Sequence, residues 1–224
     1  MFTPGFNFVT SKILPGLLQI HPEEFDGDPA ILPLPQEIPL SIPRIILKNN
    51  DGSKKLEVAP ERVNYFRLKV NSEDLILIDE FLESAVNLLA LYLEKTGANC
   101  GRIAAVLKRF SCKDNPAIEI ASHFCREGFI DKPFNEPTNF EIHAHKKYRF
   151  MESFEVNSWV RVKSAIVTFK PTNLALSSII VEQDINTLSE LIETRIYSME
   201  EINSFFYNIL PEFDKILNLY FPTE

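Results

Sequence analysis

Two stretches decide the fold: FEIHAHKKYRF at residues 140–150 and FEVNSWVRVKSAIVTF at residues 154–169. Apolar and polar residues alternate along both, the period of a strand with one face on a core, and Met151-Glu152-Ser153 is short enough to join them as a hairpin. A three-residue loop sets Glu141 opposite Lys163, Arg149 opposite Glu155, His145 opposite Trp159 and Ile142 opposite Val162. Charges and apolar groups match together, which supports this register. One face then carries Phe140, Ile142, Ala144, Tyr148, Phe150, Phe154, Val156, Val160 and Val162 toward a core. The other carries Glu141, His143, His145, Lys147, Arg149, Glu155, Asn157, Trp159, Arg161 and Lys163.

Working outward, Leu174 to Gln183 after a Lys170-Pro171-Thr172-Asn173 turn reads as a third strand that joins the meander and brings Glu182 near Arg161. Arg102 to Phe110 reads as another strand. Asn115 with Pro116 at the first helical position opens a helix that Gly128 should close, with Ala117, Ile120, Ala121, Phe124 and Cys125 as its core stripe. Ser72 as N-cap and Gly97 as stop predict a helix from Glu73 to Thr96, polar only along Asp79, Glu83, Asn87 and Glu94. Ser198 and Glu201 form a capping box for a last helix in which Ile202, Phe206, Ile209, Phe213, Ile216 and Tyr220 keep a 3,4 spacing through Pro211, with a kink expected there.

Upstream, residues 4–43 contain eight of the fifteen prolines. That density argues against a helix and restricts pairing to short pieces, so this segment reads as an extended arm. Its Phe6, Phe8, Ile13, Leu17 and Phe25 require cover from the chain itself or from a second copy. Arg44 to Lys48 and Lys54 to Val58 flank Asn50-Asp51-Gly52-Ser53, a hairpin signal. Pro60 should start a single helical turn, with Asn64 to Val70 returning as a strand. The expectation is an α+β fold: mainly antiparallel sheet in two hairpin or meander units, packed with two long helices and one shorter helix. Residues 1–43 form the arm and residues 44–224 one domain, its sheet covered mainly on one side by the two long helices.

With 45% hydrophobic residues and 18 Phe against 7 Gly, the chain has material for an aromatic-rich core. No apolar run reaches the roughly 20 residues that cross a bilayer, and Met1 to Ile20 lacks the features of a secretory leader. Three widely spaced cysteines, Cys100, Cys112 and Cys125, fit neither a disulfide framework nor a metal knuckle; they read as reduced, mostly buried thiols in a cytoplasmic protein without a membrane partner. The net charge of −8 is uneven. Residues 1–100 hold 9 basic and 14 acidic groups, residues 101–181 hold 12 and 8, and residues 182–224 hold 2 and 9. An acidic molecule with a basic middle disfavours non-specific coating of nucleic acid.

Few constellations suggest chemistry. His143-Ala144-His145 puts two imidazoles on one strand face, a spacing zinc sites use, but Lys147, Arg149, Arg161 and Lys163 crowd the same face with charge that repels a cation. His123 lies four residues from Glu119 and from Glu127, a pattern that ordinary ion pairing on a helix explains. Cys100-Gly101 is the nearest approach to a nucleophile elbow and reads as a buried thiol at a strand entrance. Glu23-Glu24, Asp79-Glu80 and Glu200-Glu201 read as solvated charge. No catalytic residue, cofactor site or metal site is assigned. Trp159 stands apart: the single tryptophan lies on the polar face beside His145, Arg161 and Lys147, a grouping that can stack a base, hold a phosphate or anchor a protein. Covered by a helix, the arm or the acidic C-terminus, it would be a core residue with the charges as its rim. Both readings stand at this point.

Pro43-Arg44-Ile45, Asp51-Gly52, Leu56-Glu57-Val58-Ala59-Pro60-Glu61-Arg62, Asn115-Pro116 and Asp184-Ile185-Asn186 resemble a sporadically distributed bacterial family of uncharacterised proteins, over residues 43 to about 221. The resemblance implies a bacterial, cytoplasmic, accessory context and transfers no activity. The expected function is a non-enzymatic protein-interaction or regulatory role, immunity-like or chaperone-like, with a homo-oligomer through the arm considered. The alternative is an anion or nucleic-acid binding module on the hairpin face of His143, His145, Lys147, Arg149, Trp159, Arg161 and Lys163; an enzyme with an unrecognised site ranks last.

Overall fold

The computed structural model describes residues 1–19, 24–33, 35, 37–71, 73–126, 128, 136–169 and 172–222. In chain order the elements are α1 (Thr10–Leu17), β1 (Ala30–Ile31), β2 (Ile45–Lys48), β3 (Lys54–Ala59), β4 (Arg62–Arg67), α2 (Ile78–Thr96), β5 (Ala104–Cys112), α3 (Pro116–Phe124), β6 (Glu141–Phe150), β7 (Phe154–Phe169), β8 (Leu174–Thr187) and α4 (Met199–Tyr220), with a 3₁₀ turn at Ser189–Leu191. Two four-stranded antiparallel sheets result, β1-β2-β3-β4 and β5-β8-β7-β6. The α+β class is as the sequence reads. The chain divides into two compact units, Met1–Ile103 with Leu188–Glu224, and Ala104–Thr187.

In the first unit the β2–β3 hairpin turns where expected: Gly52 takes φ +75°, and the Asp51 and Asn49 side chains accept from Ser53 N (2.7 Å) and Lys54 N (2.8 Å). Pro60 does not start a helical turn. Ala59 pairs directly with Arg62, so Pro60 and Glu61 make a two-residue turn and β4 runs from 62 to 67 instead of 64 to 70. A helix also forms inside the proline-rich arm: α1 accommodates Pro15 and buries Ile13 and Leu17 as it packs on α2. Prolines elsewhere in the arm do restrict sheet pairing, and β1 is two residues long.

Helix α2 starts at Ile78, later than the sequence suggests. Upstream, the Asp74 carboxylate accepts from Val70 N (3.2 Å) and Asn71 N (2.9 Å), local bonds that compete with helix formation. Ser72, the expected cap, lies outside the described residues. Gly97 closes the helix in the left-handed conformation as anticipated. Helix α4 passes through Pro211 without interruption and buries Phe205 in addition to five of the six expected positions, with Tyr220 partly covered. It packs against α2, so the wide apolar faces of the long helices meet each other.

In the second unit the β6–β7 register is the expected one at all ten pairs, from Glu141↔Lys163 to Phe150↔Phe154. Strand β8 continues to Thr187, and β5 pairs along its far side. Within this unit the helix on the meander sheet is α3, where the sequence assigned sheet cover to the two long helices, which belong to the first unit; Ala117, Ile120 and Ala121 are buried as α3 packs on β7 and β8. It stops at Phe124 because Cys125 turns extended (φ −91°, ψ 166°), short of the Gly128 expected to close it. Among the described residues no helix is long and apolar enough to cross a membrane.

Candidate interaction face

Strand alternation carries the side chains of Trp159, Arg161 and Lys163 to the same face of β7, and the register lines up transverse rows. One row runs Val106, Asp184, Trp159, His145 across β5, β8, β7 and β6; the next runs Lys108, Glu182, Arg161, His143. His143, His145, Lys147 and Arg149 are exposed, while Trp159, Arg161 and Lys163 are partly buried by their neighbours. The structure therefore brings the seven sequence-selected residues onto one surface.

Trp159 is held on that surface. The His145 ring stacks on it with centroids 4.3 Å apart and planes 20° from parallel, and the Arg161 guanidinium carbon lies 5.1 Å from its ring centre. A chain of polar side chains fixes the imidazole. Asn186 Nδ2 donates to Asp184 Oδ1 (2.8 Å), Asn157 Nδ2 donates to Asn186 Oδ1 (3.4 Å), and Asn157 Oδ1 lies 3.2 Å from His145 Nε2. Because that oxygen can only accept, the arrangement selects the His145 tautomer with hydrogen on Nε2.

Several of the charges are paired. Glu182 receives Lys108 Nζ on one oxygen and Arg161 Nη1 on the other, each at 2.7 Å. Glu141 turns to His143 Nε2 (3.4 Å), and Arg149 stands 3.8 Å from Glu155. Burial works against the charged form of Glu182, yet Lys108, then Arg161, outweigh it and hold its carboxyl below the usual range. The Arg161–Glu182 approach was legible in the sequence. The contribution of Lys108 was not, since it depends on β5 choosing the outer edge of β8, and Asp184 lies one residue beyond the expected end of the third strand at Gln183; the Val106, Lys108, Phe110 alternation is the signal for the β5 face.

The remaining motifs resolve into structural roles. Glu119 pairs with Lys113 (3.0 Å) and His123 lies edge-on to Phe124, while Glu127 falls outside the described residues. Glu24 accepts from Lys54 and Ser84, and Glu23 falls outside the described residues. Cys100 is buried, whereas Cys112 is exposed and Cys125 intermediate, so the expectation of mostly buried thiols holds for one of three. Among the described residues no group of three or more His, Cys, Asp or Glu gathers as a metal site would require. A cleft of about 810 Å³ opens beside the arm, lined by Phe6, Phe8, Leu32, Pro35 and Arg44, and one of about 640 Å³ lies along α2 and α4 at Leu82, Val86, Phe206 and Tyr207.

No protein-family model, curated protein or solved structure matches the chain.

Proposed function

We propose that this chain is a non-enzymatic binding module that recognises a protein partner through the Trp159 face. The observation that carries the reading is the immobilised indole: Trp159 stacked by His145 and approached by Arg161, in the middle of a sheet face where Lys108 and Arg161 are both paired with Glu182. A pre-ordered aromatic with an arginine beside it loses little entropy on association and has the composition of interface hot spots. Phosphate recognition, by contrast, draws on cations available for the ligand, and Lys108 and Arg161 are both engaged by Glu182. The resemblance of the Pro43–Arg62 motifs to a bacterial family extends the reading to an accessory role in a bacterial cytoplasm.

The test uses the wild-type chain, Trp159→Ala and Arg161→Glu as baits in native copurification with mass spectrometry, followed by binding measurements at low and moderate salt. A protein partner whose affinity survives moderate salt and falls by about 2 kcal/mol or more with Trp159→Ala supports the proposal. Binding unchanged in both folded variants removes this face; binding that vanishes with salt and with Arg161→Glu alone favours an anionic ligand.

A further inference from the structure

We propose that two copies of this chain join edge to edge through β6, forming one continuous eight-stranded sheet around a two-fold axis at His145. This rests on the sheet edge and is independent of the Trp159 reading.

The orientation of the edge follows from one bond. Ser164 N donates to Phe140 O at 3.1 Å, and these residues are opposite each other in the β6–β7 register. Phe140 and every second residue to Phe150 therefore turn their backbone N–H and C=O toward β7, while Glu141, His143, His145, Lys147 and Arg149 turn theirs outward. Strand β6 is the last strand of its sheet, and no described strand pairs with its outer side. It runs ten residues without proline or bulge, which makes it a template for a further antiparallel strand.

The side chains specify a second copy as that strand. When β6 meets itself with His145 facing His145, all outward-bonding residues face outward-bonding residues, so the backbone pattern closes. On one face Glu141 meets the second copy's Arg149, twice by symmetry, where the present partner of Arg149 is only a 3.8 Å contact with Glu155. On the other face Ile142 meets Tyr148 and Phe140 meets Phe150. Ala144 meets Lys146, whose long stem can lie along the methyl group. This register also sets His143 opposite Lys147; shifting the centre to Lys146 would set Lys146 against itself and His143 against Arg149, and shifting it to Ala144 would set Ile142 against Lys146 and leave Arg149 without Glu141, so the apolar pairs together with Glu141–Arg149 select the register. The opposite edge, β5, would meet its own copy with Lys108 against Lys108 at the centre. Joining through β6 would place the two Trp159 faces side by side, about 14 Å apart at three strand spacings.

Sedimentation equilibrium of the full chain, from micromolar to hundreds of micromolar, provides the test. The expected result is a monomer–dimer equilibrium in the wild type. Glu141→Arg and Arg149→Glu should each weaken it at least about tenfold by setting like charges opposite twice, and the double exchange should restore it. Hydrogen exchange of the wild type adds a readout that needs no variant: the amides of His143, His145 and Lys147 should gain protection as concentration rises. A monomer at every concentration, a dimer indifferent to both reversals, or reversals that the double exchange fails to rescue while all variants stay folded would each overturn the proposal.

Discussion

Arg161 and Glu182 form the central cross-strand pair of the meander sheet, Nη1 to Oε1 at 2.7 Å, with Lys108 completing the carboxylate from the third strand. Because the folded pKa of Glu182 lies below its unfolded value, the stability it contributes is complete above about pH 4–5 and disappears as pH falls through the folded value. All three groups are partly exposed, so solvent screening limits the gain. Glu182→Gln should lose about 0.5–1 kcal/mol near neutral pH and converge with the wild type in acid. Urea unfolding at both ends of this range checks it, and a difference that widens in acid would contradict the assignment.

The turn between β6 and β7 holds Met151 and Glu152 at φ +51° and +59°, where a Cβ is unfavourable. Glu152→Gly relieves that strain and loses part of the gain to unfolded-state entropy, leaving a net stabilisation of about 0.5–1 kcal/mol. Denaturant midpoints at constant slope decide the outcome. A loss of stability would mean that the Glu152 side chain makes contacts worth more than the strain.

The three thiols should separate by reactivity. Burial pushes the Cys100 thiol up to about 11, and its sulfur packs 3.7 Å from Arg102 O, while Cys112 is exposed. At about pH 8, iodoacetamide should label Cys112 first, Cys125 more slowly and Cys100 only after denaturant is added. Peptide mass mapping over time reads the order; early labelling of Cys100 in the folded protein would refute its burial.

Arg44 is 8% exposed; its Nη2 donates to Ile38 O at 3.2 Å and its Nη1 is buried with no hydrogen-bond partner among the described residues. Removing such a group differs from breaking a buried ion pair, which costs about 3–5 kcal/mol. Arg44→Met keeps the stem volume and should change stability by less than about 1 kcal/mol, or raise it. A thermal shift equivalent to a larger loss would show that the guanidinium does more than fill space.

How much of this was legible depended on how local the determinants are. The β6–β7 register was readable to the residue, because a short loop and period-two alternation leave one pairing that matches charges and apolar groups together. The Ser198–Glu201 box and the Gly97 stop were readable for the same reason: each is a contact within four residues. What could not be read was set at long range or by competing local bonds. Asp74 folds back on Val70 and Asn71 and delays α2 by five residues, and Pro60 serves a two-residue turn where its ring equally suits a helix start. The wide apolar face of α2 demanded cover, but its composition did not say whether a sheet or another helix would supply it. At the candidate face, Trp159, His145 and Arg161 came from one hairpin and were visible together, while Lys108 arrives from β5, separated from that hairpin by α3.

The division of the chain also orders its synthesis. The first unit is made of Met1–Ile103 and Leu188–Glu224, so its final helix leaves the ribosome only after the entire second unit has been made. Until then α2 lacks the α4 surface on which it packs. The second unit is one continuous segment, Ala104–Thr187, so all of its own strands are made earlier. A segment translated after the second unit thus completes the unit begun before it, and the interval between them is when a nascent chain of this protein is most exposed to misassociation.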